Sequence, residues 1–414
     1  MKEELLAKMD NPAQLEKLYR SNKTGFKRAF DTAYAELKGN PLVDFWHERL
    51  NYESDDVNWG MRGELVFVII ISLLAGVIAK IPHFFAVDED YFYPRHIGFI
   101  VFPFVAAYFA WRNKLSPAKK AIGAAAMLAG LVLINILPNV KISDTLVLSC
   151  IHLVLFLWCI TGFVYTGEFK NNVQKRLGFL KYNGDLVVMT ALILISGGIM
   201  SAITVGLFKL IGLDIAEFYF KNIAIFGLAA APVVGTFLTQ TNPQLVGKVS
   251  PVIARLFSPL VLVMLVVYLI AIVYSGKNPY NDREFLLIFN ALLVGVLAII
   301  FFSVAEGTKT SKTNAELWVL LLLSAVTILV NGVALSAIIY RIATLGITPN
   351  RLAVAGSNVL ILINLLLVSV SLFKTTTKRS DVSEVGKVIS SYLPFYFGWT
   401  VIVTFIFPLV FGFK

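Results

Sequence analysis

The residues with the most chemical potential in this chain stand close together: Tyr340-Arg341, then Gly346-Ile347-Thr348-Pro349-Asn350-Arg351. Thr348 before Pro349 reads as a helix start, with the threonine hydroxyl as N-cap and proline at the first helical position. Asn350 and Arg351 then project from the first turn, an end of the helix whose dipole favours anions over cations. Two arginines, Arg341 and Arg351, beside free backbone N–H groups suit a phosphate or carboxylate, carried by a lipid headgroup or a solute. The competing reading is that both arginines snorkel to headgroups or pair with Asp88, Glu89 and Asp90 of another loop. The residue types leave the two open.

A second set is rich in amides. Asn331 and Asn358 meet at equal depth if their helices pack antiparallel, and Arg351 and Asn358 share one helix face. His152 lies about 12 Å into its own apolar run at the helical rise. Asn135, Asn290, Ser196, Ser201 and Thr204 fall at the same end of their runs. Such groups within a membrane span are costly enough to count as functional hypotheses. They line a polar cavity open to one side, or they hydrogen-bond between helices at about 0.6–2 kcal/mol per contact. His152 has no second ligand or carboxylate within reach on its helix, so it is a structural histidine or a proton carrier rather than a metal ligand. Hydrolases and metalloenzymes need grouped Asp, Glu, His or Cys, so no catalytic residue, metal or cofactor is expected. Cys150 and Cys159 are about 13 Å apart along one helix, beyond disulfide reach.

These residues are set in eleven apolar runs: 64–81, 97–111, 119–138, 144–166, 186–209, 222–239, 256–275, 284–304, 316–339, 350–373 and 392–411. A run near 20 residues matches about 30 Å of hydrocarbon, where only helices or closed barrels satisfy their own backbone. The chain therefore reads as an all-α integral membrane protein with about 11 transmembrane helices over residues 64–414, behind a cytoplasmic amphipathic arm, residues 1–63. Hydrophobic residues make up 57% against 15% charged, with a mean hydropathy of +0.76, which excludes an ordinary soluble domain. The net charge of +10 is spread over loops and arm instead of forming one tract, which favours anionic headgroups at cytoplasmic loops over nucleic acid.

With the N-terminus inside, segments 1–63, 112–120, 167–185, 240–255, 304–316 and 374–391 hold 26 of the 36 Lys and Arg. The positive-inside rule thus selects N-in, C-out. Met1-Lys2-Glu3-Glu4 has no apolar stretch behind it, so a cleavable signal peptide is not expected and the N-terminus is expected in the cytoplasm. Pro232 removes a backbone bond from the sixth span, which kinks it for packing or for a transport path. Gly197-Gly198 and Gly206 suggest close helix approach in the fifth span. Glu64 and Glu306, at cytoplasmic span ends, read as solvated carboxylates.

In the arm, Asn11 is placed as N-cap and Pro12 at the first helical position, ahead of an apolar stripe at Leu15, Leu18, Tyr19, Phe26, Phe30, Ala33 and Leu37. Gly25 is the candidate break. Lys17, Arg20, Lys23, Lys27 and Arg28 surround the stripe, as an interfacial helix on anionic lipid requires. A small helical hairpin packed on the cytoplasmic loops explains the stripe equally. Asn40-Pro41 ends this helix, and Phe45, Trp46, Arg49 and Leu50 form a further amphipathic turn before Glu53, Asp55 and Asp56.

With its Tyr340-Arg341 and Gly346-Ile347-Thr348-Pro349-Asn350-Arg351 before a late span, the chain resembles the bacterial membrane-protein family catalogued as domain of unknown function 4153. Leu15-Glu16-Lys17-Leu18-Tyr19 and Phe45-Trp46-His47-Glu48-Arg49-Leu50 look like members from the Bacteroidota. The resemblance covers nearly the whole chain, implies a bacterial inner membrane and supplies no activity. A transporter or lipid- or anion-handling permease is the leading expectation, with Arg341 and Arg351 as an anion gate. The alternative is a non-enzymatic envelope scaffold or regulatory subunit that docks a protein partner on the arm through an exposed Trp46.

Overall fold

The computed structural model describes residues 2–8, 11–21, 23–37, 40–51, 59–140, 143–168, 172–210, 213–247, 249–275, 283–307 and 313–413. The chain forms two compact units, Met1–Asn58 and Trp59–Lys414, and every described element is helical. Glu53, Asp55 and Asp56, and the side chains of Lys23, Arg28 and Leu37, lie outside the described residues.

The first unit holds α1 (Lys2–Ala7), α2 (Pro12–Ser21), α3 (Lys23–Leu37) and α4 (Pro41–Asn51). Asn11 Oδ1 accepts from the Gln14 amide at 3.2 Å and Asn40 Oδ1 from the Leu42 amide at 2.9 Å, so each asparagine starts a helix that has proline at its first position. The break falls between Ser21 and Lys23, and Gly25 lies inside α3. The apolar stripe turns inward: Leu15, Leu18, Phe26, Phe30 and Ala33 are buried together with Leu5 and Val43. Trp46, expected to be exposed, is 2% exposed, with its ring against Tyr19 and Phe26 and the Arg49 guanidinium 4.7 Å above it. Four short helices bury these apolar faces against one another. Glu16 ties the unit together, meeting Arg20 at 2.8 Å on its own helix and Arg49 at 3.0 Å on α4.

The second unit runs through α5 (Arg62–Ala79), α6 (Ile81–Phe85), α7 (Glu89–Arg112), α8 (Pro117–Ile136), α9 (Asp144–Thr166) and α10 (Val173–Leu210). Next, α11 (Ala216–Tyr219) passes through a π-helical segment, Phe220–Ala224, into α12 (Ile225–Thr241), followed by α13 (Pro243–Gly247), α14 (Val249–Ser275) and α15 (Arg283–Gly307). The chain ends with α16 (Asn314–Leu345), α17 (Pro349–Thr376) and α18 (Val382–Val401), the last continued by a π-helical segment, Ile402–Ile406, into α19 (Phe407–Val410). Each expected apolar run coincides with one helix or one continuous helical stretch. Among the described residues, 9 helices are long and apolar enough to cross a membrane; α7 falls outside that set, and α14 contributes a shorter apolar stretch, Arg255–Ile270. The chain is an all-α, multi-pass membrane protein.

Two large cores organise this unit, beside a small cluster of Leu148, Ala353, Val403 and Phe407. Val68, Phe99, Tyr108, Leu157 and Phe237 belong to a core shared by α5, α7, α8, α9 and α12. Leu265, Phe289, Leu320, Val330 and Leu365 belong to a second core among α14 to α18. The first turns of α10 serve both, Phe179 and Tyr182 facing the first core and Leu177 and Leu180 the second. At 38 residues α10 is about 57 Å long, nearly twice the hydrocarbon thickness, so it has length to spare for this bridging.

The fifth-span glycines do not mediate close approach. A Cβ at Gly197, Gly198 or Gly206 would meet nothing within 4 Å, whereas one at Gly76, Gly184 or Gly356 would collide with the Phe226, Phe302 or Trp399 ring. Small residues permit contact only on a face that another helix covers, and Gly197, Gly198 and Gly206 are on a stretch of α10 that no described residue covers, whereas Gly184 on the same helix faces Phe302 of α15. At Pro232, α12 continues without a break, and the Thr236 hydroxyl donates to the Pro232 carbonyl at 2.8 Å.

Candidate anion-binding site

Thr348 caps α17, its Oγ1 accepting from the Arg351 amide at 3.3 Å, with Pro349 in the first helical position. The Arg351 guanidinium folds back: Nη1 donates to the carbonyls of Leu345 and Gly346, each at 2.8 Å. Those carbonyls end α16, where orphan acceptors and the negative pole of the dipole both call for a cation. An arginine opposed to the dipole of its own helix therefore serves the preceding one, and its described partners are these carbonyls instead of the loop acids. Arg341 stands on α16 before that end and Asn350 in the first turn of α17, both half-buried.

Antiparallel packing of α16 and α17 does bring the two asparagines to one level. Asn331 Nδ2 donates to the Asn358 backbone carbonyl at 3.1 Å, and both residues are buried. Asn331 Oδ1 and Asn358 Nδ2 have no hydrogen-bond partner among the described residues. His152, half-buried on α9, bonds through Nδ1 to the Leu148 carbonyl of its own helix at 2.9 Å. Among the described residues no hydrogen bond joins Arg351, the asparagine pair and His152 to one another.

A cavity of about 660 Å³ lies elsewhere, between α7, α9 and the link before α9. Its polar side is made by Asp88, Asp90, Tyr91, Arg95, Asn139 and Ser143. Its apolar side includes Ile97, Val147, Cys150 and Ile151. Caps fix both helices here: Asp88 Oδ1 accepts from the Asp90 amide at 3.0 Å to start α7, and Ser143 Oγ accepts from the Leu146 amide at 3.2 Å to start α9. Gly98 sets the separation of the helices, because a Cβ there would stand 2.8 Å from Leu157 Cδ1. With α7 starting at Glu89, Arg95 falls about 9 Å inside the helix.

Arg95 is 4% exposed. Its bonds are long: Nη1 to the Tyr91 carbonyl at 3.4 Å and Nη2 to Asn139 Oδ1 at 3.3 Å, while Nε has no partner among the described residues. The Tyr91 ring lies 4.1 Å from the guanidinium. Among the described residues no carboxylate is within ion-pair distance of it. The adjacent His96 is engaged elsewhere, with Nδ1 at 2.9 Å from the Phe92 carbonyl and Nε2 at 3.1 Å from the Asn135 amide nitrogen. An uncompensated buried guanidinium costs several kcal/mol, so the site holds a standing preference for an anion. By run length alone Arg95 falls among the loop charges, because the apolar run begins at residue 97. The overlooked signal was Asp88-Glu89-Asp90, an N-cap with an acidic first turn, which moves the helix start upstream and takes Arg95 inside.

The opposite ends of the helices correct a second expectation. Glu64, taken for a solvated carboxylate, is 6% exposed, and its Oε1 accepts from Tyr108 Oη at 2.8 Å and Arg112 Nη1 at 2.6 Å. Arg112 Nη2 continues to the Gln240 carbonyl at 2.9 Å, so one cluster ties α5, α7 and α12. Glu306 is 3% exposed and pairs with Lys181 at 2.6 Å, tying α15 to α10. Nearby, the Tyr182 and Thr236 hydroxyls are 2.7 Å apart. A carboxylate at a span end looks solvated until the helix that covers it is known. No family model matches the chain, and neither does any curated protein or solved structure compared with it.

Proposed function

We propose that this protein is an inner-membrane permease that handles an anionic lipid or solute, with Arg95 as the residue that receives the anion. One observation carries the reading: a guanidinium 4% exposed, without a carboxylate partner among the described residues, on the wall of a cavity of about 660 Å³. The eleven-span, N-in, C-out arrangement and membership of the domain of unknown function 4153 family are parts of the same proposal. In that orientation the cavity opens outward, while the Glu64–Arg112 and Lys181–Glu306 pairs close the cytoplasmic ends. Arg341, Arg351, Thr348, Asn350, Asn331, Asn358 and His152 then support the helices around the path, and the anion gate moves to Arg95. Cytoplasmic loop charges rest on anionic headgroups.

A cryo-EM map in native-like lipid tests this reading. Non-protein density against Arg95 is the expected result; a collapsed groove, with Arg95 paired to a carboxylate of the chain, overturns it. The scaffold reading has one observation in its favour, the arm being a compact unit with Phe45 58% exposed on α4.

A further inference from the structure

The groove that holds Arg95 also carries negative charge. Asp88 and Asp90 line it, both exposed, and neither pairs with Arg95 or with any other described cation. Asp88 Oδ1 is taken up by the Asp90 amide at 3.0 Å, and the remaining carboxylate oxygens of the two residues have no described partner. The groove therefore presents a buried cation at its wall and two carboxylates toward water, held apart beyond ion-pair distance. A bare anion gains at Arg95 and is repelled by Asp88 and Asp90. A bare cation gains at the aspartates and is repelled by Arg95. A ligand that carries both charges, the anion inside and an ammonium toward the water, is attracted by both.

The apolar wall selects further. Ile97, Val147 and Ile151 are 55%, 57% and 55% exposed along the groove, on helices of a membrane protein. A soluble zwitterion leaves that surface uncovered, whereas an acyl chain continues along it from the headgroup. Resting on the anion-binding role of Arg95 given above, we infer that the groove binds a zwitterionic phospholipid whose headgroup bears a primary ammonium, with phosphate on Arg95 and ammonium on Asp88 and Asp90. A primary ammonium donates three hydrogen bonds to carboxylates, which a quaternary ammonium lacks.

Equilibrium binding to the full-length protein in neutral detergent tests this, with dioctanoyl phosphoethanolamine, phosphocholine and phosphoglycerol and the chain-free glycerophosphoethanolamine as probes. The phosphoethanolamine lipid is expected to bind at least tenfold more tightly than the other three. D88N/D90N keeps the α7 cap, since asparagine caps as well as aspartate, and is expected to remove the preference over phosphoglycerol. R95Q is expected to lose every lipid and R95K to retain part of the binding, which separates a lost site from a lost fold. Phosphoglycerol binding as tightly as phosphoethanolamine to the wild type overturns the zwitterion and leaves the anion site standing. Equal affinity for glycerophosphoethanolamine overturns the lipid source. Unchanged binding in R95Q overturns both this inference and the role of Arg95.

Discussion

Arg95 and Arg351 illustrate how differently two arginines at helix ends are employed. Arg351 neutralises the end of α16 through two carbonyls, each at 2.8 Å, and has nothing left to offer a ligand through Nη1. Its replacement, R351Q, is expected to lower stability by about 1 kcal/mol, since the bonds are charge-assisted but solvent-facing, and to leave lipid binding intact. Arg95 is predicted to behave in the opposite way. R95M removes an uncompensated buried charge and is expected to melt no lower than wild type while binding nothing. Thermal unfolding of both variants beside lipid titrations checks the pair; a large loss of stability in R95M would make the residue structural. At the other ends, E64Q weakens a bond network that includes Arg112 and Tyr108. About 2 kcal/mol of destabilisation is expected, short of the full buried-pair cost because the Arg112 side chain is 32% exposed.

Elements meet where glycine and aromatic rings interlock. Gly76 faces Phe226 from α12 across α5, and Gly356 faces Trp399 from α18 across α17, whose indole Nε1 also donates to Ser357 Oγ at 2.9 Å. G76A and G356A are expected to destabilise by about 1–3 kcal/mol through overpacking, because whole rings, not flexible tips, must move. G197A and G206A are expected to be neutral or to stabilise by up to about 1 kcal/mol, as helix propensity predicts for open positions. Melting temperatures of the four variants in one detergent would decide it, and equal effects in both pairs would refute the assignment of faces. The π-helical segment at Ile402–Ile406 has its own anchor, Ser149 Oγ donating to the Thr404 carbonyl at 3.1 Å from α9.

At the scale of the whole molecule, the arm and the membrane unit each carry their own core, so perturbations of one are expected to leave the other intact. Acid offers a test. The hydrogen bond from Arg20, helped by the charge of Arg49, holds the Glu16 carboxyl below its ordinary value. A carboxyl depressed in the folded state adds stability that is complete above the unfolded value, about 4.3, and disappears as pH falls through the lower folded value. Hydrogen exchange of α2 and α4 in the full-length protein, corrected for intrinsic rates, is expected to quicken as pH drops from 5 toward 3. In E16Q that protection is already missing at neutral pH and acid removes no more. Deleting residues 1–58 is expected to spare lipid binding in the groove. Loss of a protein partner on that deletion would support the scaffold reading, and retention of every partner would count against it.

The helices were legible in the residue pattern, as were some of their starts. Apolar run length is a local quantity, and so are the caps at Asn11 and Thr348, because a side-chain oxygen bonds an amide three residues on; Asn40-Pro41, read as a helix end, proves to start α4 as well. The level match of Asn331 with Asn358 was legible for the same reason, since adjacent helices joined by a short turn must pack antiparallel. Tertiary structure alone decided which faces are covered. It turned the arm stripe and Trp46 inward, buried Glu64 and Glu306 against cations from distant helices, and left Gly197, Gly198 and Gly206 uncovered by the described residues. It also set Arg95 in a groove without an anion of its own, beside aspartates that it does not reach. The energy of a charge or a glycine depends on its neighbours across the fold, and in a bundle of many similar apolar helices nothing local states which helix those neighbours come from.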